Sequence, residues 1–345
     1  MILYAGNILS KHGNTPTFIE TLAPKIARHY KIKSVSDKKE QLFRLWDMVI
    51  SLLKNKKDIE LVLIDSYSMK AFWYTYILAR LCNQSNISYI PILRGGSYPY
   101  RFKKSPVLCK FIFSHSAKNI SPSIYLKKYF NGEGYEVEYI PNFIPIRNYD
   151  FFQRTSVRPK LLWVRSFDIT YNPLLAIEIL DKLKNKYPDA VLCMVGPDKD
   201  GTLQKIIDKA SELNVSDSLK LTGKLSKKEW LALSKEYDIF INTTDFDNHP
   251  VSVIEAMALG LPVITTNVGG LPYLIEDRID GILVPPGNAD KFVEEIDNLI
   301  SDNELVFKIT TNARKKAEEF DWEFIKNKWF TIFDTIVTDS SKREN

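Results

Sequence analysis

The chain has 345 residues, and its 45% hydrophobic content suffices for two domain cores but includes no stretch apolar enough to form a transmembrane helix. The three cysteines are scattered, which excludes a disulfide framework and a cysteine metal site and favours a reducing, cytoplasmic location. The net charge of +5 is unevenly divided, because residues 1–150 carry 22 basic and 11 acidic residues and residues 151–345 carry 25 and 31.

The first half of the chain alternates predicted strands and helices, which indicates a parallel α/β sheet. The predicted strands are residues 1–6, 59–64, 88–93, 112–114 and 137–140, and the predicted helices are residues 18–30, 39–53, 66–81 and a segment ending at Phe130. The helix at residues 39–53 has one apolar face at helical spacing, made of Leu42, Leu45, Trp46, Val49, Ile50 and Leu53. After the first strand, a polar loop with Gly13 could bring backbone N–H groups to an anion, although an ordinary turn is the simpler interpretation.

The second half repeats this alternation after a polar segment, residues 147–159, which we interpret as an interdomain linker. The predicted strands are residues 160–164, 190–195, 219–221, 237–242, 261–266 and 281–284, and the longer predicted helices are residues 173–187, 203–213, 227–236, 289–301, 304–320 and 322–337. We therefore predict an N-terminal domain at residues 1–148, a C-terminal domain at residues 149–321, and a final helix with a polar tail at residues 322–345 that packs back on the N-terminal domain. Two α/β domains of similar size imply a ligand cleft between them.

Two carboxylates, Asp247 and Glu255, flank the start of a predicted helix. Asp247 lies on the loop after the predicted strand at residues 237–242, and Glu255 lies in the first turns of the helix that follows. Loops at the carboxyl ends of parallel strands bind ligands, and a helix N-terminus suits a diphosphate, so one carboxylate could bind a sugar and the other a ribose. Each also has a structural interpretation, Asp247 as a helix cap and Glu255 as part of a solvated helix face.

The residues that follow the pair carry a family resemblance. Residues 255–264 read Glu-Ala-Met-Ala-Leu-Gly-Leu-Pro-Val-Ile, eight positions after Asp247. This pattern resembles the retaining glycosyltransferases of family 4, whose GT-B fold has two Rossmann-like parallel α/β domains facing a central cleft. Further matching segments are Gly269-Gly270, residues 280–285, residues 161–165, residues 194–196 and residues 221–223. The resemblance covers most of residues 160–290, whereas the N-terminal half matches weakly, at the Gly13 loop and at residues 140–142.

The resemblance implies a role for each matched residue. Asp247 would contact the donor sugar and Glu255 would hold the nucleotide ribose, since carboxylates accept paired hydrogen bonds from vicinal hydroxyls. Arg165 would neutralise the departing diphosphate, and Gly13 would let its loop approach that diphosphate across the cleft. The other implied donor-binding residues are Asn248, His249, Pro250 and Val251 after Asp247, and Gly223, Lys224 and Leu225 near the base. A backbone role suits His249 better than a role as general base. We expect no metal and no cofactor besides the nucleotide sugar that serves as substrate.

Two departures from the family pattern concern the donor. The first acid of the family's pair is a glutamate, and Asp247 is one methylene shorter, which puts the choice of sugar in question. The family also places a lysine five or six residues after the arginine, where this chain has Thr170 and Tyr171. Lys224 is a candidate substitute for that second cation.

Candidate acceptor-side residues lie in the basic half of the chain. Arg94 follows a predicted strand and could contact an anionic acceptor or the donor, and His12 in the Gly13 loop could contact either substrate. The aromatic and basic stretch Tyr98–Lys104 suits an anionic lipid interface. We therefore expect a lipid-linked or oligosaccharide acceptor, as in surface polysaccharide assembly, and peripheral attachment to the inner face of the cytoplasmic membrane.

The predicted function is a retaining, metal-independent transfer of a sugar from a nucleotide diphosphate sugar to an acceptor hydroxyl. Two alternatives stay open: a nucleotide-sugar 2-epimerase with the GT-B fold, and a catalytically silent sugar-nucleotide-binding protein, which Asp247 and the replaced lysine both favour. No nucleic-acid-binding module is recognisable. The nucleotide, the sugar, the linkage and the oligomeric state are left open by the sequence.

Overall fold

The computed structural model describes the backbone of residues 1–341 and the side chains of residues 1–336. The chain divides into two units, of which unit 1 contains Met1–Pro141 with the described residues from Lys326 onward, and unit 2 contains Asn142–Ile325. Each unit has one six-stranded sheet whose strand pairs are all parallel. The prediction of two parallel α/β domains is therefore confirmed.

Unit 1 is built on a sheet with strand order β2-β1-β3-β4-β5-β6. Its strands are Ile2–Ala5 (β1), Ile32–Val35 (β2), Leu61–Ser66 (β3), Ser88–Leu93 (β4), Ile120–Ser121 (β5) and Glu138–Tyr139 (β6). Its helices before residue 141 are Phe18–Ile26 (α1), Gln41–Lys54 (α2), Phe72–Gln84 (α3), Tyr98–Lys104 (α4), Pro106–Ser114 (α5) and Ile124–Gly132 (α6).

Unit 2 has the strand order β12-β11-β10-β7-β8-β9. Its strands are Lys160–Val164 (β7), Val191–Val195 (β8), Leu219–Gly223 (β9), Ile239–Asn242 (β10), Val263–Thr266 (β11) and Ile282–Val284 (β12). Its helices are Pro173–Lys184 (α7), Thr202–Glu212 (α8), Lys227–Leu233 (α9), Val251–Ala258 (α10), Leu271–Leu274 (α11), Ala289–Ser301 (α12) and Asn303–Glu318 (α13). Along β7, Leu161 and Trp163 face one core cluster and Leu162 faces another, so both faces of the sheet are covered.

The final helix, Trp322–Ser341 (α14), starts in unit 2 and continues into unit 1. In unit 1, the buried Trp329 ring lies 6.4 Å from the Phe18 ring, and the Tyr30 hydroxyl donates to Asp334 Oδ1 at 2.5 Å. The end of the predicted polar tail, residues 342–345, lies outside the described residues. Nowhere in residues 1–341 does a helix combine the length and the apolar composition that crossing a bilayer requires.

One predicted strand is wrong. Residues 112–114 form the end of helix α5 rather than a strand, and the neighbouring strand β5 lies at Ile120–Ser121. Cys109, Ile112 and Phe113 are all buried, and their spacing of three and four residues is that of one helix face. A short apolar run of this kind does not by itself distinguish a strand from the end of a helix.

The apolar face predicted for α2 is largely exposed. Leu42 is 73% exposed, Phe43 beside it 65% and Trp46 64%, whereas the opposite face buries Met48 and Leu52. Leu45 and Val49 are half-buried at the edge of the core. The spacing of the apolar residues therefore predicts a helix correctly, but it does not predict which side of the helix packs against the core.

The stretch Tyr98–Lys104, expected to face lipid, is only partly available to solvent. Tyr98 and Phe102 lie one helical turn apart and are buried in the core of unit 1. Arg101 is buried as well, and its Nε donates to the carbonyl oxygen of Ser68 at 2.7 Å. The prediction is wrong for these three residues, since only Tyr100 with the adjacent lysines of α4 is exposed.

The predicted linker is bound to unit 2. Arg154 is buried, and its guanidinium donates to the carbonyl oxygens of Gly260 at 2.9 Å and Tyr237 at 3.0 Å. Upstream, the side-chain amide of Asn142 donates to the carbonyl oxygen of His249 at 2.9 Å. The polar side chains of this segment are therefore used in contacts with other parts of unit 2, as Arg154, Gln153 and Arg158 are.

Candidate active site

The strand order of unit 2 reverses at one place. From β7 the chain runs outward through β8 to β9, and it then returns to β10 on the other side of β7. In open parallel sheets, ligands bind at the carboxyl ends of the strands at such a reversal. Arg165 follows β7 directly, and Asp247 lies on the loop after β10, so both residues occupy this position.

Arg165 and Asp247 form an ion pair between Nη2 and Oδ2, and both side chains are 15% exposed. The Arg165 guanidinium also lies over the Tyr171 ring, 4.8 Å from its centroid, and Asp247 Oδ1 accepts the backbone N–H of His249 at 3.2 Å. Because water is largely kept out, these charges are weakly screened. The Nε of Arg165 is buried and has no hydrogen-bond partner among the described residues.

Glycines allow the backbone to approach this pair closely. Gly269 has a φ of +56°, and a Cβ at this position would lie 2.2 Å from the carbonyl oxygen of Asp247. The N–H of Gly270 donates to the same oxygen at 2.8 Å. On the other side, a Cβ at Gly196 would lie 1.7 Å from the carbonyl oxygen of Arg165. These motif glycines therefore position the two loops that carry the ion pair.

We expect Gly269→Ala to displace the Asp247 loop and to abolish the stabilisation that the nucleotide-sugar donor implied by the family resemblance would give. Gly287→Ala is a matched control, because Gly287 has a φ of +67° and open space where its Cβ would lie. Both substitutions carry the cost of a left-handed backbone, about 1–2 kcal/mol, but only the first creates a clash. Thermal unfolding with and without donor measures the difference, and equal donor shifts in the two variants would contradict the positioning role.

Thr170 and Tyr171, which stand where the family pattern has a lysine, have a different use. The carbonyl oxygen of Thr170 accepts the backbone N–H of Asp245 at 2.9 Å and the hydroxyl of Thr244 at 3.2 Å. Tyr171 supports the Arg165 guanidinium. This segment thus fixes the loop that leads to Asp247 and supplies no second cation.

Glu255 lies in the second turn of α10 and is 4% exposed, which excludes the solvated helix face. Its Oε1 accepts the Tyr149 hydroxyl at 2.7 Å and pairs with the Lys227 ammonium group. Burial and the negative charge of Glu255 raise the pKa of Tyr149 above its ordinary value, so the hydroxyl is held in its donating form. The Lys227 ammonium lies 5.1 Å from the centroid of the Trp230 ring. Glu255 is therefore a buried, oriented carboxylate.

Neither partner of Glu255 is a candidate from the sequence. Tyr149 lies in the predicted linker, and Lys227 is the first residue of α9, between Ser226 and Glu229, which form the capping box of that helix. No spacing in the sequence connects either residue with Glu255. Only the fold brings them together.

The residues after Asp247 contribute mainly backbone. The His249 ring is buried and packs edge-to-face against Phe320 at 5.3 Å, and its carbonyl oxygen binds the Asn142 amide. Asn248 is partly exposed, and Pro250 and Val251 are the N-cap and first residue of α10. This helix N-terminus directs its free N–H groups away from the helix, as an anion site requires.

The predicted base site lies at the end of β9. Gly223 has a φ of +68°, and its carbonyl oxygen accepts the N–H of Gly196 at 2.9 Å. This bond connects the end of β9 to the glycine that approaches Arg165. Lys224 is exposed, and Leu225 packs against the hydrophobic core on one side of the unit 2 sheet.

Unit 1 contains the acceptor-side candidates His12 and Arg94 and also Gly13, which the resemblance assigns to the donor diphosphate. Gly13 ends a turn with a φ of +85°, and a Cβ there would meet no atom within 4 Å. His12 is exposed, and its Nε2 lies 2.8 Å from the carbonyl oxygen of Asp37. Arg94 follows β4, and its guanidinium lies 4.1 Å from the centroid of the Phe18 ring.

Unit 1 also contains a buried acid that the sequence analysis missed. Asp65 ends the apolar run of β3, and its Oδ1 accepts the Tyr4 hydroxyl at 3.0 Å. A Cβ at Gly6 would lie 2.6 Å from Oδ2 of Asp65. Burial raises the pKa of Asp65 to about 6, although the charge of Arg94 lowers it. A carboxylate directly after an apolar strand was the signal available in the sequence.

The three cysteines are buried and unpaired, and burial raises the pKa of Cys82 and of Cys109 to about 12. Within the described part of the chain, no group of three or more histidine, cysteine or acidic side chains is arranged to hold a metal ion.

Comparison with known proteins identifies the segment that carries the ion pair and Glu255. Residues 149–316 match the family described as glycosyl transferases group 1. The matched segment lies within unit 2 and includes most of its α/β domain. The domain is similar to that of the sulfoquinovosyl transferase SQD2 of Arabidopsis thaliana, with 28% identity over 150 residues, which are 43% of this chain and 28% of that protein. The alignments with curated relatives span about half of the relatives' length or less.

Solved structures of similar fold extend over both units. HepE (Alr3699) of Anabaena, determined in complex with UDP, has a TM-score of 0.79 and 16% identity, covering 97% of this chain and 99% of that one. Sucrose-phosphate synthase of Thermosynechococcus elongatus has a TM-score of 0.80 and 16% identity, covering 98% and 99%. At this identity the likeness shows the fold, and the predicted GT-B fold is confirmed. The segment that matches the family model lies in the C-terminal half of that fold.

Proposed function

We propose that this chain is a retaining glycosyltransferase that moves a sugar from a nucleotide diphosphate sugar to an acceptor hydroxyl without a metal ion. The observation that carries the proposal is the ion pair of Arg165 and Asp247 at the strand reversal of a group 1 glycosyltransferase domain. A cation next to a carboxylate suits a ligand that has both a diphosphate and sugar hydroxyls.

The donor would lie along the carboxyl edge of the unit 2 sheet. Arg165 and the N-terminal amides of α10 would bind the diphosphate, Asp247 the sugar hydroxyls, and Glu255 the ribose hydroxyls. Support for the ribose role comes from the second oxygen of Glu255, since both hydrogen-bonding partners of that side chain engage Oε1. A nucleotide is also consistent with HepE, whose structure contains UDP.

The proposed reaction takes place on one face of the sugar. The bond between the anomeric carbon and the diphosphate oxygen breaks, and a bond from that carbon to the acceptor oxygen forms on the same face. The departing diphosphate oxygen takes the acceptor proton, so no protein nucleophile is needed. Arg165 lowers the barrier because it opposes the negative charge that develops on the diphosphate.

The proposed acceptor is a lipid-linked glycan at the inner face of the cytoplasmic membrane. Residues 1–150 carry twice as many basic as acidic residues, 22 against 11, which favours an anionic membrane surface or an anionic acceptor. Within unit 1, Arg94 is a fixed cation at the carboxyl edge of the sheet, and His12 is an exposed side chain on the Gly13 loop.

A thermal-shift panel of UDP-, GDP- and ADP-sugars is the direct test of the donor class. A ligand at a hundred times its Kd stabilises the native state by about 2.7 kcal/mol, so the correct donor should raise Tm by several degrees and the others should not. Transfer of the selected sugar to an acceptor, with the anomeric configuration followed by NMR, then tests retention. An inverted product would contradict the proposed mechanism.

A catalytically silent binding protein is the second candidate. It is favoured by two observations: Arg165 is already paired with Asp247, and the two positions where the family has a lysine are Thr170 and Tyr171, neither of which is a cation. Such a protein would give the donor thermal shift but neither transfer nor donor hydrolysis. Conversion of the donor to its 2-epimer without any acceptor would instead identify an epimerase.

A further inference from the structure

Helix α2 presents an uncovered apolar face. Leu42, Phe43, Trp46, Ile50 and Leu53 are between 43% and 73% exposed, and they follow one another at helical spacing. Five large apolar side chains exposed together on one helix are unusual for a monomeric soluble protein, and such a patch indicates an interaction site. No other part of the described chain covers this face.

The opposite side of α2 anchors the helix in unit 1. Met48 and Leu52 are buried in the core, and the buried Arg44 donates to the carbonyl oxygens of Lys38 and Lys39 at 2.8 and 2.6 Å. The Tyr74 hydroxyl of α3 donates to the carbonyl oxygen of Gln41 at 2.9 Å. The helix is therefore held with its apolar face outward, and this orientation does not depend on fraying or partial unfolding.

Lysines lie at both ends of the exposed face. Residues 38–57 contain six basic and two acidic residues, a balance of +4. The exposed lysines are Lys38 and Lys39 before the helix and Lys54, Lys56 and Lys57 at its end. A shallow groove of about 390 Å³ is lined by Lys38, Lys39, the rings of Phe43 and Trp46, Ile50, and the two acids Glu40 and Asp47. Cations around an apolar strip complement a surface whose headgroups are anionic and whose interior is hydrocarbon.

The dimensions of α2 suit a position in the plane of such a surface. The helix has 14 residues, and at 1.5 Å per residue it is about 21 Å long, too short to cross a hydrocarbon layer of about 30 Å. Tryptophan and phenylalanine are favoured at the boundary between headgroups and acyl chains. Trp46 and Phe43 occupy the centre and one end of the exposed strip.

We propose that the exposed face of α2 is the membrane-docking surface of this protein, with Phe43 and Trp46 inserted among the acyl chains of an anionic bilayer and the flanking lysines on its headgroups. This assignment rests on the membrane-associated acceptor proposed above, and it replaces Tyr98–Lys104 as the principal lipid contact. A second copy of the chain fits less well, because a two-fold contact between these faces would bring lysine-rich ends of like charge together.

Co-sedimentation of the full chain with vesicles tests the surface directly. We expect binding to vesicles of phosphatidylglycerol and phosphatidylcholine but much weaker binding to pure phosphatidylcholine. The double substitution Phe43→Ser with Trp46→Ser should weaken binding to the anionic vesicles at least tenfold. It removes the two aromatic rings whose transfer from water into the bilayer favours binding. Lys54→Glu with Lys56→Glu should remove most of the preference for anionic lipid.

The matched control changes two exposed aromatic residues of unit 2. Phe307→Ser with Phe324→Ser removes two phenylalanine rings that are 51% and 67% exposed, and it should leave vesicle binding unchanged. Trp46→Leu keeps an apolar side chain, so it should still bind, yet the blue shift of tryptophan fluorescence on adding vesicles should shrink. This variant serves if the serine pair fails to fold.

Three results would overturn the proposal. In the first, the wild-type chain fails to sediment with anionic vesicles, and in the second, the variant with both serine substitutions binds them as well as the wild type does. The third is a wild-type dimer that the two serine substitutions dissociate. The vesicle experiment is independent of the test of the proposed function, because the vesicle mixture contains neither donor nor acceptor. The serine pair should retain the donor thermal shift, and failure of donor binding would leave vesicle binding intact.

Discussion

Replacing Arg165 by alanine is expected to lower the turnover of sugar transfer by two to three orders of magnitude. In the proposed reaction, negative charge grows on the diphosphate as its bond to the sugar breaks, and Arg165 is the cation at that point. Removal of one preorganised donor to a developing charge typically costs about 10²–10³ in rate. Because the contact strengthens in the transition state, kcat should fall more than donor affinity does. Steady-state kinetics at saturating donor measures the effect.

Two controls separate catalysis from stability. Arg158→Ala removes the same charge from a side chain that is 63% exposed and paired with Asp238 in the same unit, so it should be nearly as active as the wild type. Arg165→Lys keeps a charge beside Asp247 but loses the planar guanidinium over Tyr171, and it should have intermediate activity. The proposed role is wrong if the alanine variant folds and keeps a substantial fraction of wild-type turnover.

Replacing Glu255 by glutamine is expected to weaken nucleotide binding by about ten- to a hundredfold. A hydrogen bond to a charged group contributes about 1.5–3 kcal/mol, and the variant loses the carboxylate that would accept the ribose hydroxyls. The contact is the same in the ground state and the transition state, so kcat at saturating donor should change little. Calorimetry with the nucleotide selected by the thermal-shift panel measures the affinity.

The affinity for a 2′-deoxy nucleotide distinguishes a direct contact between Glu255 and the ribose from a purely structural role of Glu255. The wild type should bind the deoxy analogue more weakly than the parent nucleotide, whereas Glu255→Gln should bind the two nearly alike. Tyr149→Phe removes the 2.7 Å hydrogen bond that orients Glu255 without changing its charge, so a smaller loss of affinity is expected. Equal discrimination against the deoxy analogue in wild type and Glu255→Gln would place the ribose elsewhere.

The elements of the fold followed largely from local patterns. Apolar strand segments alternate with amphipathic helices from β1 to α13, and such alternation permits little besides parallel α/β sheets. Errors arose where a short apolar run was ambiguous. Residues 112–114 lie at the end of a helix, and only the burial of Cys109 beside them shows the helical spacing.

The candidate site could be predicted as a set of residues but not as a set of contacts. Asp247, Glu255 and Arg165 were recognisable from their places after strands and from the motif around them. Their partners were not, since Lys227 and Tyr149 reach Glu255 from segments with no motif of their own. The replacement of a lysine by Tyr171 looked like a loss, whereas the ring supports the Arg165 guanidinium.

The sequence by itself determined two parallel α/β domains, the pair of acids and the uneven charge, because period, turn residues and composition are local properties. The tertiary structure decided the rest. Strand order brings Arg165 to Asp247 across 82 residues, since β7 and β10 are neighbours in the sheet. The same packing decides that α2 turns Met48 inward and Trp46 outward, because a helix with apolar residues on more than one side is oriented only by the core it meets.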